Sequence, residues 1–213
     1  MYIPASFVET NTDRLHEFID GHGFATLVSQ QGNEPFASHL PLLLDRSAGP
    51  LGTLVGHMAR ANPQWEHAAG QSVLAIFHGP HTYVSPGWYE DRNVVPTWNY
   101  VAVHAVGEFR VIDDPNRLRD ILGKTVEFYE APRETPWSIE SPDEEFLDRL
   151  LLAIVGFEIP IERLEGKWKL SQNHSDERQE KVIGQLRQSG APDDLQVAEL
   201  MAARRRLSDS NPD

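Results

Sequence analysis

Gly52-Thr53-Leu54-Val55-Gly56-His57-Met58-Ala59-Arg60-Ala61-Asn62-Pro63-Gln64-Trp65 reads as a strand running directly into a helix. Thr53 to Met58 is rich enough in β-branched and apolar residues for a short buried strand. Asn62 followed by Pro63 is the preferred pair for a helix N-cap and first helical position, and Gly70 stops the helix. The first N–H groups of a helix lack internal partners and carry the positive end of its dipole, so such a junction attracts anions. Arg60, just before the cap, offers a fork of donors that matches phosphate oxygens. Most strand-to-helix junctions bind nothing, and the remainder of the chain has to decide whether this one does.

Upstream, Asn11 or Thr12 caps a short helix with Leu15, Phe18 and Ile19 on one stripe, ended by Gly21 and Gly23. Phe24 to Ser29 and Phe36 to Leu44 read as strands joined by a polar turn, and Pro41 implies an edge or a bend in the second. Downstream, Ser72 to Phe77 is apolar on both faces, as in a closed sheet. His78-Gly79-Pro80-His81 reads as a turn back into Thr82 to Ser85, and Pro86 to Val94 as a loop. Pro96 to Ile112 reads as one long strand with Gly107 at a bulge or bend. Short strands with tight turns point to a small barrel or sandwich.

Helices follow. Asp114-Pro115 opens one with Leu118, Leu122, Val126 and Tyr129 at helical spacing. Ser141-Pro142-Asp143-Glu144 reads as a capping box before a helix that buries Phe146, Leu147, Leu150 and Leu151. Val155 to Leu164 is a last strand, which Lys167 to Leu170 extends. Ser175 to Gln188 and Asp193 to Arg206 read as polar helices, and Ser208 to Asp213 as a frayed end. The class is α+β: residues 1–173 form the strand-rich domain, and 174–213 a helical tail packed on it or on a partner subunit.

The 213 residues contain no cysteine, which excludes disulfides, thiolate catalysis and Cys-ligated zinc. The longest apolar run, Leu150 to Phe157, is too short for a bilayer, and the N-terminus lacks a secretory pattern, so a cytoplasmic protein without membrane association is expected. A formal charge of −13 opposes attraction to nucleic acid. The one basic cluster, Arg204 to Arg206, reads first as cations ending a helix. None of the nine histidines sits in a metal-binding spacing, so no metal site is expected. There is no Gly-x-Ser-x-Gly elbow or Walker loop, and no residue identifies itself as catalytic.

Polar residues inside apolar strand stretches remain: His39, Thr97, Asn99 and the Lys167 to Asn173 run. Internal hydrogen bonding accounts for such residues as readily as a ligand does. A flavin phosphate ester would use all of them together, with its phosphate at Arg60 and Asn62, amide donors and a cation at its ring, and a flat wall. Trp98 and Trp168 serve either as walls or as core.

Met1 to Phe7, Ser38-His39-Leu40-Pro41, Gly56 to Trp65, Phe77 to Pro86, Val95 to Tyr100 and Gly166 to Asn173, in this order, resemble the PaiB family of FMN-binding negative transcriptional regulators. The resemblance spans Met1 to about Ala203. It implies an FMN-binding split β-barrel with peripheral helices, similar to pyridoxamine 5′-phosphate oxidases, acting as a homodimer with flavin sites between subunits. It places the phosphate at Arg60 to Asn62, His57 and Met58 beside the ring, and Thr97, Trp98 and Asn99 on the long strand. Lys169, Ser171 and Gln172 join them or close the dimer. It also implies gene repression, although no helix-turn-helix is evident and the net charge disfavours DNA. A flavin-dependent reductase or oxidase without DNA binding, and a haem-handling split barrel, are the alternatives.

Overall fold

The computed structural model describes residues 1–89 and 93–209, without the side chains of 207–209. In chain order its elements are a 3-10 turn at Ala5–Phe7, β1 (Val8–Glu9), α1 (Thr12–Gly21), β2 (Phe24–Gln31), β3 (Glu34–Asp45), β4 (Thr53–Ala59) and α2 (Gln64–Ala68). Then come β5 (Ser72–Val84), a 3-10 turn at Pro86–Tyr89, β6 (Thr97–Glu108), β7 (Arg110–Ile112), α3 (Pro115–Glu130) and α4 (Glu144–Leu151). The chain closes with β8 (Ile154–Lys169), α5 (Asp176–Ser189) and α6 (Pro192–Asp209). The fold is α+β, as the sequence implies. The strands pair in the order β1-β8-β4-β3-β2-β5-β6, β7 also pairs β8, and a β8–β6 pairing returns the path to β8.

Two compact units divide the chain. Unit one holds Met1–Asn11, His78–Val103 and the chain from Glu165; unit two holds Thr12–Phe77 and His104–Leu164. In unit two, Pro41 sits where β3 changes partner: Pro35 to Pro41 pair with β2, and Leu42 to Asp45 with β4. A residue without an N–H is cheapest at such a change. β4 lies between β3 and β8, and Thr53 to Gly56 are all buried. Leu27, Leu42, Leu54, Phe77 and Ile159 are fully buried around a Phe109–Phe157 stack at 4.7 Å. In unit one, α5 buries Val182, Ile183 and Leu186, and α6 buries Val197, Ala198 and Met201. The helical tail therefore packs within unit one of its own chain.

Several expectations change. His78-Gly79-Pro80-His81 is no turn: β5 runs through it, and the buried positions shift from Val73, Ala75 and Phe77 to Pro80, Thr82 and Val84. A Gly-Pro pair favours a turn locally, but the strand absorbs one extra residue as a change of phase. The long strand breaks at Phe109, whose N–H and C=O bond to Gln71 and Gly70. Gly107 instead permits a close approach, since a Cβ there would lie 2.1 Å from Pro160 O. On α4 only Leu147 is buried, while Phe146 and Leu150 stand 47% and 49% exposed, and Asp143 makes no side-chain cap. An apolar stripe is buried only where a neighbour covers it. Of the end expected to fray from Ser208, Ser208 and Asp209 instead continue α6, while residues 210–213, like residues 90–92 of the Pro86 to Val94 loop, lie outside the described residues.

Candidate functional site

In unit two the opening stretch forms the β4–α2 junction. The helix starts one residue later than the sequence implies: Pro63, already in the helical region, is its N-cap and makes no side-chain cap. Asn62 instead braces the turn before it, its Oδ1 accepting the Gln64 N–H at 3.0 Å and its Nδ2 donating to Ser38 Oγ at 2.8 Å. The helix has five residues. Its dipole is correspondingly small, so the anion attraction of the junction rests mainly on Arg60. Arg60 donates from Nε to Leu152 O and from Nη2 to Ile154 O, both at 2.8 Å. Its guanidinium lies 5.9 Å from the Trp65 ring centre, and Trp65 Nε1 donates to Arg60 O at 2.9 Å. Arg60 thus holds the start of β8, and Nη1 has no hydrogen-bond partner among the described residues.

His57 and Met58 are consecutive on β4, so their side chains leave opposite faces of the strand. Met58 is core, 2% exposed. His57 Nδ1 is buried without a hydrogen-bond partner, and burial pushes the imidazole below its ordinary pKa, which keeps it neutral. Gln64, invisible as a site residue in the sequence because a glutamine on a short helix reads as surface, is fully buried. Its Nε2 donates to Leu27 O at 3.1 Å and Ser29 Oγ at 3.0 Å, while Oε1 has no partner.

Unit one carries the other six predicted residues. The pleat of β6 puts Thr97 and Asn99 on one face and Trp98 on the other. Trp98 is 52% exposed, its ring 6.2 Å from His81 and 6.0 Å from Tyr83. Asn99 is fully buried; its Nδ2 donates to Ser171 Oγ at 2.9 Å and meets Met201 Sδ at 3.4 Å, and its Oδ1 accepts from the same hydroxyl. Ser171 has a φ of 62°, a left-handed conformation rare for serine, pinned by that exchange. Gln172 folds back on its own strand, bonding Leu170 N and Trp168 O. Lys169 Nζ donates to Thr97 Oγ1 and Trp98 O, and burial, then the Lys167 charge, hold it below its ordinary pKa. Lys167, two residues earlier on the same strand face, opens the polar run that the sequence singles out, although the resemblance gives it no role.

Among the described residues no cluster of His, Asp and Glu could hold a metal ion, and no helix is long and apolar enough to cross a membrane. Arg205 of the basic cluster pairs with Glu180 and Asp176, so it binds α6 to α5.

Comparison with known proteins adds the following. A family described as "Putative FMN-binding domain" matches residues 1–163. The chain is 39% identical over 204 residues to "Protease synthase and sporulation protein PAI 2" of Bacillus subtilis, covering 94% of this chain and 96% of that protein. It is 31% identical over 259 residues to an uncharacterised protein of Aspergillus fumigatus, covering 98% and 99%. Among solved structures, an FAD and haem binding protein of Mycobacterium smegmatis matches with a TM-score of 0.55 at 16% identity, over 76% of this chain and 73% of that one. At that identity the likeness is one of fold, that of flavin-binding split barrels.

Proposed function

This chain belongs to the PaiB family of FMN-binding domain proteins, and we propose that it binds FMN itself, as a homodimer with flavin sites between subunits. Unmet hydrogen-bonding capacity at the motif positions supports this most. His57 Nδ1 is buried without a partner, and three residues on in the same stretch the exposed Arg60 guanidinium uses only two of its nitrogens on carbonyls. Buried polar groups are nearly always paired, so an orphan on a family motif fits a contact with a ligand.

Arg60 Nη1 and Asn62 meet the phosphate ester in this reading, and His57 offers a neutral imidazole nearby. Lys169 supplies a cation to the ring and Thr97 shares its ammonium. Trp98 supplies a flat exposed wall. Met58 and Asn99, both buried, act from behind by holding their strands in place. Ser171 and Gln172 shape the turn after β8 and close the dimer side. The bound flavin supplies hydride or single-electron exchange. The chain's part is to bind, orient and shield it, in a redox or sensing role within the residue 1–173 domain. Direct DNA contact is disfavoured by the charge of −13 and by the pairing of Arg205. Gene repression would then run through another protein.

The test is the visible spectrum of the purified protein, followed by FMN titration. Flavin absorption, or saturable uptake of added FMN, is expected; a colourless protein that takes up none overturns the reading. Arg60→Ala should weaken FMN binding by about 1.5–3 kcal/mol, the worth of a charge-assisted hydrogen bond. A thermal melt of the variant separates this from loss of its two carbonyl bonds. Unchanged affinity would remove Arg60 from the ester site.

A further inference from the structure

A chain of net charge −13 has only four lysines. Lys124 pairs with Asp120 at 3.0 Å and Lys181 with Glu177 at 3.1 Å, each one helical turn apart. Lys167 and Lys169 are different. They stand on one face of β8, and among the described residues neither meets a carboxylate. Lys167 is 7% exposed, and its Nζ donates to Tyr2 O at 3.0 Å, with the Tyr2 and Tyr100 rings at 5.5 and 5.2 Å. Lys169 Nζ has Thr97 Oγ1, Trp98 O and the Phe7 ring, 6.0 Å away. Each ammonium has three donors, so two on Lys167 and one on Lys169 lack a hydrogen-bond acceptor.

The same field reaches His174. Burial first, then the charges of Arg178 and Lys169, hold its imidazole below the ordinary value. Its ring packs on Tyr89 at 5.0 Å. Tyr89 is 3% exposed, yet its hydroxyl has no partner. All of these groups belong to unit one. Among the described residues the two ammoniums face only carbonyls, a hydroxyl and rings and repel each other, and Lys167 is buried, where a charge is ordinarily paired.

We infer that Lys167, Lys169, His174 and the Tyr89 hydroxyl form a recognition site for an oxyanion, a phosphate group, supplied from outside the chain. The site does not depend on the flavin reading, although the two share Lys169. The phosphate is a free one, since the reading above seats the FMN ester at Arg60.

Isothermal titration of the flavin-stripped, full-length protein with inorganic phosphate tests this. Saturable binding is expected, weakened about ten- to a hundredfold in Lys169→Gln and largely retained in Lys169→Arg. Lys167→Gln should also weaken it, and decides the matter if Lys169→Gln fails to fold by thermal melt. No phosphate binding to folded wild type, or wild-type affinity in the folded glutamine variants, overturns the inference. Repeating the titration with FMN and riboflavin identifies the source. Phosphate that displaces FMN but not riboflavin marks the site as the ester's and overturns its assignment to a free anion; FMN binding unaffected by saturating phosphate is the result expected. Phosphate binding without any FMN uptake would leave this site standing and sink the flavin reading alone.

Discussion

Desolvation sets the protonation of His57. In the unfolded chain its imidazole titrates at the ordinary 6.5; in the folded chain burial lowers that value. Below about pH 6.5 the unfolded state therefore binds the proton more readily, and stability falls as pH drops from the unfolded value toward the folded one. Above it the effect vanishes. A single group contributes a slope of at most about 1.4 kcal/mol per pH unit. His57→Gln should remove its share, so urea midpoints measured between about pH 5 and pH 8 should fall less steeply than in wild type. Equal slopes would mean that His57 is not desolvated in the folded protein. None of this follows from the residue's neighbours in sequence, because burial is created by β3 and β8 on either side of β4.

At the scale of elements, two glycines make opposite predictions. Gly107 on β6 faces β8 so closely that a Cβ would meet Pro160 O at 2.1 Å and Ile159 Cγ2 at 2.9 Å. A backbone oxygen cannot swing away, so Gly107→Ala should cost about 1–3 kcal/mol. Gly123, within α3, has nothing within 4 Å of its would-be Cβ. Gly123→Ala should stabilise by about 0.5–1 kcal/mol through helix propensity. Chemical denaturation measures both, and a neutral Gly107→Ala would refute the close approach. Both glycines look alike as letters. α4 shows the same limit in reverse: Phe146 and Leu150 carry a helical apolar pattern, but the pattern is not matched by a covering surface within the described chain.

For the whole molecule, the helical tail is the decisive case. Its low apolar content marks it as an appendage, yet Val182, Leu186, Val197, Ala198 and Met201 are each at most 1% exposed. Met201 reaches the Asn99 amide that pins Ser171. Burying a large aliphatic side chain is worth about 1.5–3 kcal/mol, so removing residues 174–213 should expose unit one's interior. The truncated protein should bind a hydrophobic dye and lose its cooperative melt. A truncation that melts cooperatively at the wild-type temperature would show the tail to be a separate body.

Sequence alone determined what depends on local pattern and on linked motifs. The order of strands and helices along the chain, the helices α1, α3, α5 and α6, the place of Pro41 and the strand-to-helix junction after β4 were legible because periodicity, proline and capping act over a few residues. Membership in an FMN-binding family was legible because six motifs recur in one order. Tertiary structure alone decided which of those groups still have hydrogen bonds to give. Arg60 commits two nitrogens to carbonyls nearly a hundred residues away, Asn99 is consumed by Ser171, and Lys167 and Lys169 meet no carboxylate among the described residues. Saturation of a donor depends on partners distant in the chain, and only folding brings them within reach.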